Sequence, residues 1–397
     1  MEKTLVITER EDGILTTEIE DGTVSRFQVE PVEEENILGN IYVGKVRNIV
    51  KNINAAFVEF LPGMMGYLSL QEGVVPRHTQ GKVQDQTRVL IGDEIIVQVS
   101  REAVKTKPPT LTGKIDFAGK YIVLSYGGTG IGVSRRIKDR EERERLRELL
   151  QDFSSEEYGI MARTNSAEVS SEEILAELRR LLERSGDVFA SGMHRAPFAC
   201  LYQAPAGFLA SILSVCDEEL LEVITDSEKL YQRITRYLQE NGWQGKIPVR
   251  LWREEEGKVL CVYNIDRELK HALSRRVWLR SGAYLVIEPT EALAVIDVNT
   301  GKAISKKKDV QKTYLKINRE AACEIAHQIR LRNLSGIIVV DFIDMEEEEA
   351  RRELLALFSR ELAKDRIPTK LVDMTKLGLV EITRKKVRKP LYEQIHM

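Results

Sequence analysis

The sequence predicts a multidomain α/β protein with a small closed β-barrel in its first third. Three observations lead there. Four strand patterns broken by Gly and Pro crowd between residues 39 and 99, capped amphipathic helices mix with strands in the middle, and apolar strands alternate with helices towards the carboxyl end. The 397 residues suffice for two or three packed units. Lys and Arg number 59 against 62 Asp and Glu, a formal charge of −3, which excludes a histone-like polycation and a strongly acidic disordered chain. Hydrophobic residues at 43% and charged residues at 30% are those of an ordinary globular protein.

Residues 1–35 carry 11 acids against Lys3, Arg10 and Arg26, and the turn signals Glu11-Asp12-Gly13 and Asp21-Gly22 separate alternating segments, so β-hairpins with a scaffold role are expected. Strands follow at residues 41–46, 55–60, 65–70 and 94–99, the spacing of a small barrel. Residues 100–115 are polar and Lys-rich around Pro108-Pro109, an exposed loop. A strand at 121–124 precedes a helix over 139–153, with Leu146, Leu149, Leu150 and Phe153 at helical spacing. Ser170 and Glu173 form a capping box for a helix burying Ile174, Leu178, Leu181 and Leu182. Short strands are expected after Gly186, then a helix over 228–240. At the end, strands at 285–287, 292–296 and 337–340 alternate with helices over 318–332 and 347–364. The apolar strands are expected at the centre, covered on both faces.

No apolar run approaches the roughly 20 residues that cross a bilayer, and Met1-Glu-Lys-Thr-Leu lacks a secretory pattern, so a cytoplasmic protein without a membrane segment is expected. Cys200, Cys216, Cys261 and Cys323 lie far apart with no Cys-x-x-Cys pair, which does not support zinc; they read as buried packing residues.

Two segments share one design. In Ala294-Val-Ile-Asp297-Val-Asn299-Thr-Gly301 and in Ile337-Ile-Val-Val-Asp341-Phe-Ile-Asp344, an apolar strand runs into acids. Carboxylates at the ends of central strands occupy the ligand crevice of α/β sheets, and oxygen-only donors suit Mg²⁺ or Mn²⁺. Asn299, at i+2, projects to the same side as Asp297 and can either orient that carboxylate or bind the ion's water shell. Acids at strand ends also serve as helix caps; two after all-apolar strands favour a metal site, while Asp344 reads as the cap of the helix beginning near Glu346. Lys302, Lys306, Lys307, Lys308, Lys312, Lys316 and Arg319, with Arg384, Lys385, Lys386, Arg388 and Lys389, flank these acids, which points to a phosphodiester substrate. No histidine lies in the motifs, and hydrated Mg²⁺ chemistry needs none.

On the barrel, Phe57 and Tyr67, with Lys45, Arg47, Lys105 and Lys107 nearby, make either a stacking platform for single-stranded bases or core aromatics. Arg163-Thr164 follows a short apolar strand; an Arg beside a hydroxyl can clasp a terminal phosphate, though spacing alone reads it as an ordinary surface arginine. Gly127-Gly-Thr-Gly-Ile-Gly132 lacks both the Gly-Lys-Ser/Thr ending and the dinucleotide glycine spacing, so it is a turn, not a nucleotide loop.

Over nearly its whole length the chain resembles the catalytic half of the ribonuclease E/G family. The resemblance lies in Gly39-Asn-Ile-Tyr-Val-Gly-Lys-Val, Ala55-Ala-Phe-Val-Glu-Phe, Val133-Ser-Arg-Arg-Ile, Ala162-Arg-Thr, Pro289-Thr-Glu-Ala-Leu, Ile296-Asp-Val-Asn-Thr-Gly and the stretch from Arg330 through Val-Val-Asp341-Phe-Ile-Asp344 to Met345. It implies an RNase H-like scaffold (1–35 and 209–272) with an inserted S1-type RNA-binding barrel (36–113) and a 5′-sensor module (114–208), followed by a DNase I-like catalytic subdomain (273–397). It further implies that Asp297 and Asp341 hold the catalytic Mg²⁺ with Asn299 in support, that Phe57, Tyr67 and Lys107 contact RNA, and that Arg163 and Thr164 recognise a 5′-monophosphate. The family's Cys-Pro-x-Cys zinc-link is not in this sequence, so a homo-oligomer, if formed, is not expected to be zinc-linked. The expected activity is Mg²⁺-dependent cleavage of single-stranded, A/U-rich RNA in RNA processing and decay, leaving 5′-phosphate and 3′-hydroxyl ends. The rival readings are a non-catalytic RNA-binding protein and a DNA-directed phosphodiesterase.

Overall fold

A computed structural model describes residues 3–11, 13–32, 37–70, 79, 88–103, 107–167, 169–215, 220–302 and 310–395. Cys216, Lys105 and Lys306 to Lys308 lie outside them. The chain forms two compact units, Met1–Val32 with Leu221–Met397, and Glu33–Leu220.

Strands β1 (Lys3–Arg10), β2 (Gly13–Glu20) and β3 (Thr23–Glu30) are an antiparallel meander. The turn between β2 and β3 is Asp21-Gly22, both with positive φ, the conformation a tight hairpin requires.

The second unit opens with β4 (Ile41–Val50), β5 (Ala55–Leu61), β6 (Met64–Ser69), β7 (Glu94–Arg101) and β8 (Thr110–Thr112). Pairing runs β4-β5-β6-β8-β7 and returns through β4–β7, closing a five-stranded barrel around Val46, Val58, Phe60, Leu68, Ile95, Val97 and Leu111. The closed barrel expected from strand spacing is therefore present. Next come β9 (Ile115–Ala118), β10 (Ile122–Tyr126), β11 (Gly130–Val133), helix α1 (Arg140–Gln151) and β12 (Tyr158–Ala162), then α2 (Ser171–Gly192). The four strands form one sheet, and α1 and α2 bury Leu146, Leu150, Ile174 and Leu178 in the core it shares. Ser170 caps α2 by accepting from the Glu173 N–H, as expected. The helix does not stop at Gly186; it continues to Gly192 because Val188 and Phe189 bury beyond it, and that packing outweighs about 1 kcal/mol of glycine propensity. A short strand, β13 (Cys200–Tyr202), joins the edge of β4, and a helix not anticipated, α3 (Gly207–Val215), follows.

Back in the first unit, β14 (Leu220–Thr225), α4 (Glu228–Glu240) and β15 (Val249–Leu251) complete a sheet of order β15-β14-β1-β2-β3, and α5 (Val259–Val262) and α6 (Ile265–Leu273) lead out of it. The remainder is β16 (Arg276–Trp278), β17 (Tyr284–Pro289), β18 (Leu293–Asn299), α7 (Val310–Leu331), β19 (Gly336–Asp341), α8 (Glu348–Leu362), β20 (Thr369–Met374), β21 (Val380–Arg384) and α9 (Leu391–Ile395), with sheet order β16-β17-β18-β19-β21-β20.

Two expectations are corrected. Among the described residues this last sheet is covered on one face and not on both. Ile338 and Val340 are fully buried with α7 and α8 in one core, but Ile337 on the other face is 51% exposed. A continuous apolar run fits a strand buried on one side or two, and only packing tells them apart. The three cysteines among the described residues are not packing residues either: Cys200, Cys261 and Cys323 are exposed, Cys323 because the inward turn of α7 is already filled by Ala321 and Ala322.

Candidate active site

The open face of the last sheet holds the acids. Along β18, Ala294, Ile296 and Val298 are buried, so the two-residue period turns Val295, Asp297 and Asn299 to the opposite side. Along β19, Ile338 and Val340 point in and Asp341 points out. In the parallel β18–β19 pair Asp297 is the direct partner of Asp341. The two carboxylates therefore rise from one face, on strands about 4.8 Å apart.

Asn299 Nδ2 donates to Asp297 Oδ2 at 2.6 Å, the orienting contact expected from the i+2 spacing. The Asp341 carboxyl is pushed above its ordinary value, by partial burial first and then by the negative charges of Asp297 and Asp344. Like charges held this close favour a bound cation. An all-oxygen pair suits a hard ion such as Mg²⁺, which keeps several waters. Among the described residues no group of three or more His, Cys, Asp or Glu could hold a metal, so an ion at this pair would complete its shell with water and substrate oxygens.

Two features that sequence reasoning missed hold the site in shape. Asn318, fully buried on α7, donates to Ile343 O at 2.7 Å and accepts from Ile343 N at 3.1 Å, pinning the segment between Asp341 and Asp344. A polar residue one step from Ile317 on an otherwise apolar helix face was its signal. Gly301, with φ of +53°, sits where a Cβ would strike the Gly282 carbonyl, so the glycine of the Asp-x-Asn-Thr-Gly segment lets the chain turn against the β16–β17 connection.

Asp344 is not a helix cap. Helix α8 begins at Glu348 behind Glu347, three residues too late for Asp344 to cap it, and Asp344 lies exposed near Asp341. Of the basic residues, Lys302, Lys312 and Lys316 are exposed, while Arg319 is bonded to Glu353 at 2.7 Å. Arg384, counted with the basic tail cluster, is buried and paired with Asp365 at 2.7 Å; it is a structural cation, whereas Lys385 and Lys386 are exposed.

The remaining candidates lie in the other unit. Phe57 and Tyr67 are cross-strand partners on β5 and β6, half-buried, with ring centroids 6.1 Å apart in an edge-to-face pair. They stay outside the fully buried barrel core, which removes the reading of both as core aromatics. Lys107 is exposed two residues before Pro109, whose carbonyl accepts from Tyr67 N at 2.8 Å. Lys45 and Arg47 face acids, Lys45 Nζ lying 3.8 Å from Glu94 and Arg47 Nη2 2.5 Å from Glu59.

Arg163 follows β12 and is half-buried, its Nη1 donating to Gly119 O at 2.6 Å; the Thr164 hydroxyl is 3.0 Å from that of Ser134. The buried Glu177 carboxylate on α2 accepts from the N–H groups of Lys120, Tyr121 and Ile122 and so fixes the loop against which Arg163 rests. Gly127 and Gly130 both have φ of +81° and form the turn into β11, as expected of that glycine run. Asp297, Asn299 and Asp341 thus form one group, Phe57 and Tyr67 a second with Lys107 on the segment that leads to Pro109, and Arg163 and Thr164 are neighbours elsewhere in that unit.

Residues 116–387 match the family described as "Ribonuclease E/G family". Ribonuclease E of Nostoc sp. is 35% identical over 362 residues, covering 90% of this chain and 52% of that protein. Ribonuclease E of Synechocystis sp. is 36% identical over 368 residues, covering 90% and 53%. Ribonuclease G of Escherichia coli is 32% identical over 387 residues, covering 94% and 78%. The chain spans about half the length of the two ribonuclease E relatives. An extended family match, identities above 30% and paired acids on an open sheet face lead to one conclusion: this chain belongs to the ribonuclease E/G family.

Proposed function

We propose that the chain is a Mg²⁺-dependent endoribonuclease cutting single-stranded, A/U-rich RNA in RNA processing and decay, leaving 5′-phosphate and 3′-hydroxyl ends and favouring 5′-monophosphorylated substrates. The observation that supports it most is the in-register pairing of Asp297 with Asp341, with Asn299 bonded to the first. The names of the relatives, ribonuclease E and ribonuclease G, point the same way.

In this reading Asp297 and Asp341 hold the ion, which when bound supplies a Lewis acid and an activated water for phosphodiester hydrolysis. Asn299 keeps the Asp297 carboxylate in one orientation, and Asn318 keeps the Asp341 strand end in place. Exposed Lys302, just beyond the end of β18, draws phosphates towards the acids. The barrel, of the S1 type in this reading, stacks bases on Phe57 and Tyr67 with Lys107 on the backbone. Arg163 and Thr164 take the 5′-monophosphate.

The test is Asp297→Asn on end-labelled single-stranded RNA, with and without Mg²⁺, against a DNA strand of equal sequence. Expected is loss of cleavage with RNA affinity in EDTA within a few-fold of the parent, and little cutting of DNA. Cleavage by Asp297→Asn at the normal rate would remove the carboxylate pair as the centre; equal cutting of DNA would remove the RNA assignment.

A further inference from the structure

The open face that holds the acids also holds an aromatic cluster at its edge. Trp278 on the edge strand β16 is 61% exposed, whereas Trp243 and Trp252 are 3% and 9% exposed. Its ring lies 5.1 Å from that of Tyr284, tilted by 55°. The Arg276 guanidinium lies 4.5 Å from the Tyr284 ring centre and 5.8 Å from that of Trp278. Neighbouring Arg275 is paired with Glu288, but among the described residues no carboxylate lies within ion-pair distance of Arg276. The register places this cluster beside the carboxylates. Trp278, Tyr284 and Asn299 form one cross-strand row, and Arg276, Val286, Asp297 and Asp341 form the next. The rows are about 6.6 Å apart, and Trp278 is two strands, about 10 Å, from Asn299.

We propose that Trp278, braced by Tyr284 and Arg276, is a stacking platform for a nucleobase of the single-stranded RNA whose phosphate lies at Asp297 and Asp341. The inference rests on the proposed nuclease function and deepens it by assigning a base-binding position within the sheet that carries the acids. A tryptophan at a sheet edge can serve stability alone, but a core role would bury it, and Trp278 keeps most of its surface in solvent. An indole braced by a second ring and flanked by a guanidinium that has no ion-pair partner among the described residues matches what a base and its phosphate require: a π-face, rigidity and a cation. Stacking tolerates any base, so the platform fixes the position of the strand rather than its sequence.

The exposed Trp278 is also the reporter. A short single-stranded RNA added to the intact protein in EDTA, where cleavage is off, is expected to quench tryptophan emission and shield it from iodide, and the Trp278→Phe variant should lose that signal. In Mg²⁺, Trp278→Ala should raise KM by about 5- to 150-fold with kcat little changed, because stacking helps ground state and transition state alike. Trp278→Phe, which keeps a ring, should recover most of that loss. An abasic residue scanned along the RNA should weaken binding to the parent at one position near the cut and cost Trp278→Ala nothing further there. Unchanged KM in Trp278→Ala, or additive losses at every abasic position, overturns the platform while normal cleavage leaves the nuclease reading intact. Quenching at Trp278 without any cleavage by the parent supports the platform and refutes the nuclease reading.

Discussion

Replacing Arg384 by alanine should cost more stability than any change on the open face that holds Asp297 and Asp341. Arg384 Nε donates to Asp365 Oδ2 at 2.7 Å, and Nη1 donates to Asn333 Oδ1 at 2.7 Å and to Leu334 O at 3.0 Å. The side chains of Arg384 and Asp365 are 0% and 2% exposed. Removing one partner of a buried pair typically costs about 3–5 kcal/mol, because the other charge is left in a poor solvent. Two observations place this pair at the lower end. Asp365 also accepts from Ile367 N at 3.0 Å, Thr369 Oγ1 at 3.1 Å and Arg26 Nη2 at 3.4 Å, and Arg384 Nη2 is buried without a hydrogen-bond partner among the described residues. A loss of about 3 kcal/mol corresponds to a Tm lower by about 6–12 °C for a unit of this size. The pH dependence is the sharper measurement. Burial alone would raise the Asp365 carboxyl, but Arg384, the Ile367 N–H and Arg26 hold it below its ordinary value. That stability is present above the unfolded carboxyl pKa of about 3.9 and is lost as pH falls through the lower folded value. Burial lowers Arg384 as well, yet a guanidinium stays charged at working pH, so the carboxylate sets the response. In Arg384→Ala the carboxyl rises, so the Tm gap to the parent should be widest near neutral pH and shrink as pH falls towards 4. Differential scanning calorimetry across that range reads both quantities. A Tm loss under about 2 °C, or a gap independent of pH, refutes the pair as a structural anchor.

The Asn299→Ala variant loses the 2.6 Å bond to Asp297, so cleavage should fall about 10–100-fold and recover in part at high Mg²⁺; a rate curve in Mg²⁺ that does not shift refutes the orienting role. Arg163→Ala should slow cutting of 5′-monophosphorylated RNA more than of 5′-hydroxyl RNA, and equal losses on both would remove the terminal-phosphate pocket. Phe57→Ala and Tyr67→Ala should each weaken RNA binding by about 1–3 kcal/mol with unchanged melting, since both rings are half-buried on the barrel surface; a drop in Tm without a change in affinity makes them structural.

Local chemistry was legible in the sequence. The Ser170 cap, the hairpin glycine at Asp21-Gly22 and the glycine turn into β11 depend on neighbouring residues alone. The i+2 relation of Asn299 to Asp297 follows from the period of any strand, and the structure shows that bond. The expected metal role of Asp297 and Asp341 follows from residue type at the ends of two apolar strands, whereas the roles expected of Arg163 and the barrel aromatics came from the family's motifs, because spacing alone left bland alternatives open for them.

What only the tertiary structure decided is which residues meet and which faces stay open. No local rule states that Asp297 and Asp341, separated by a 22-residue helix, share a register position; that follows from the parallel pairing of β18 and β19. Whether Ile337 faces solvent, whether Arg384 is a surface cation or a buried one, and whether Trp278 stands beside the acids depend on partners distant along the chain. Composition and periodicity describe each element by itself, whereas burial and charge pairing are properties of the contacts between elements, and those exist only once the sheet is assembled.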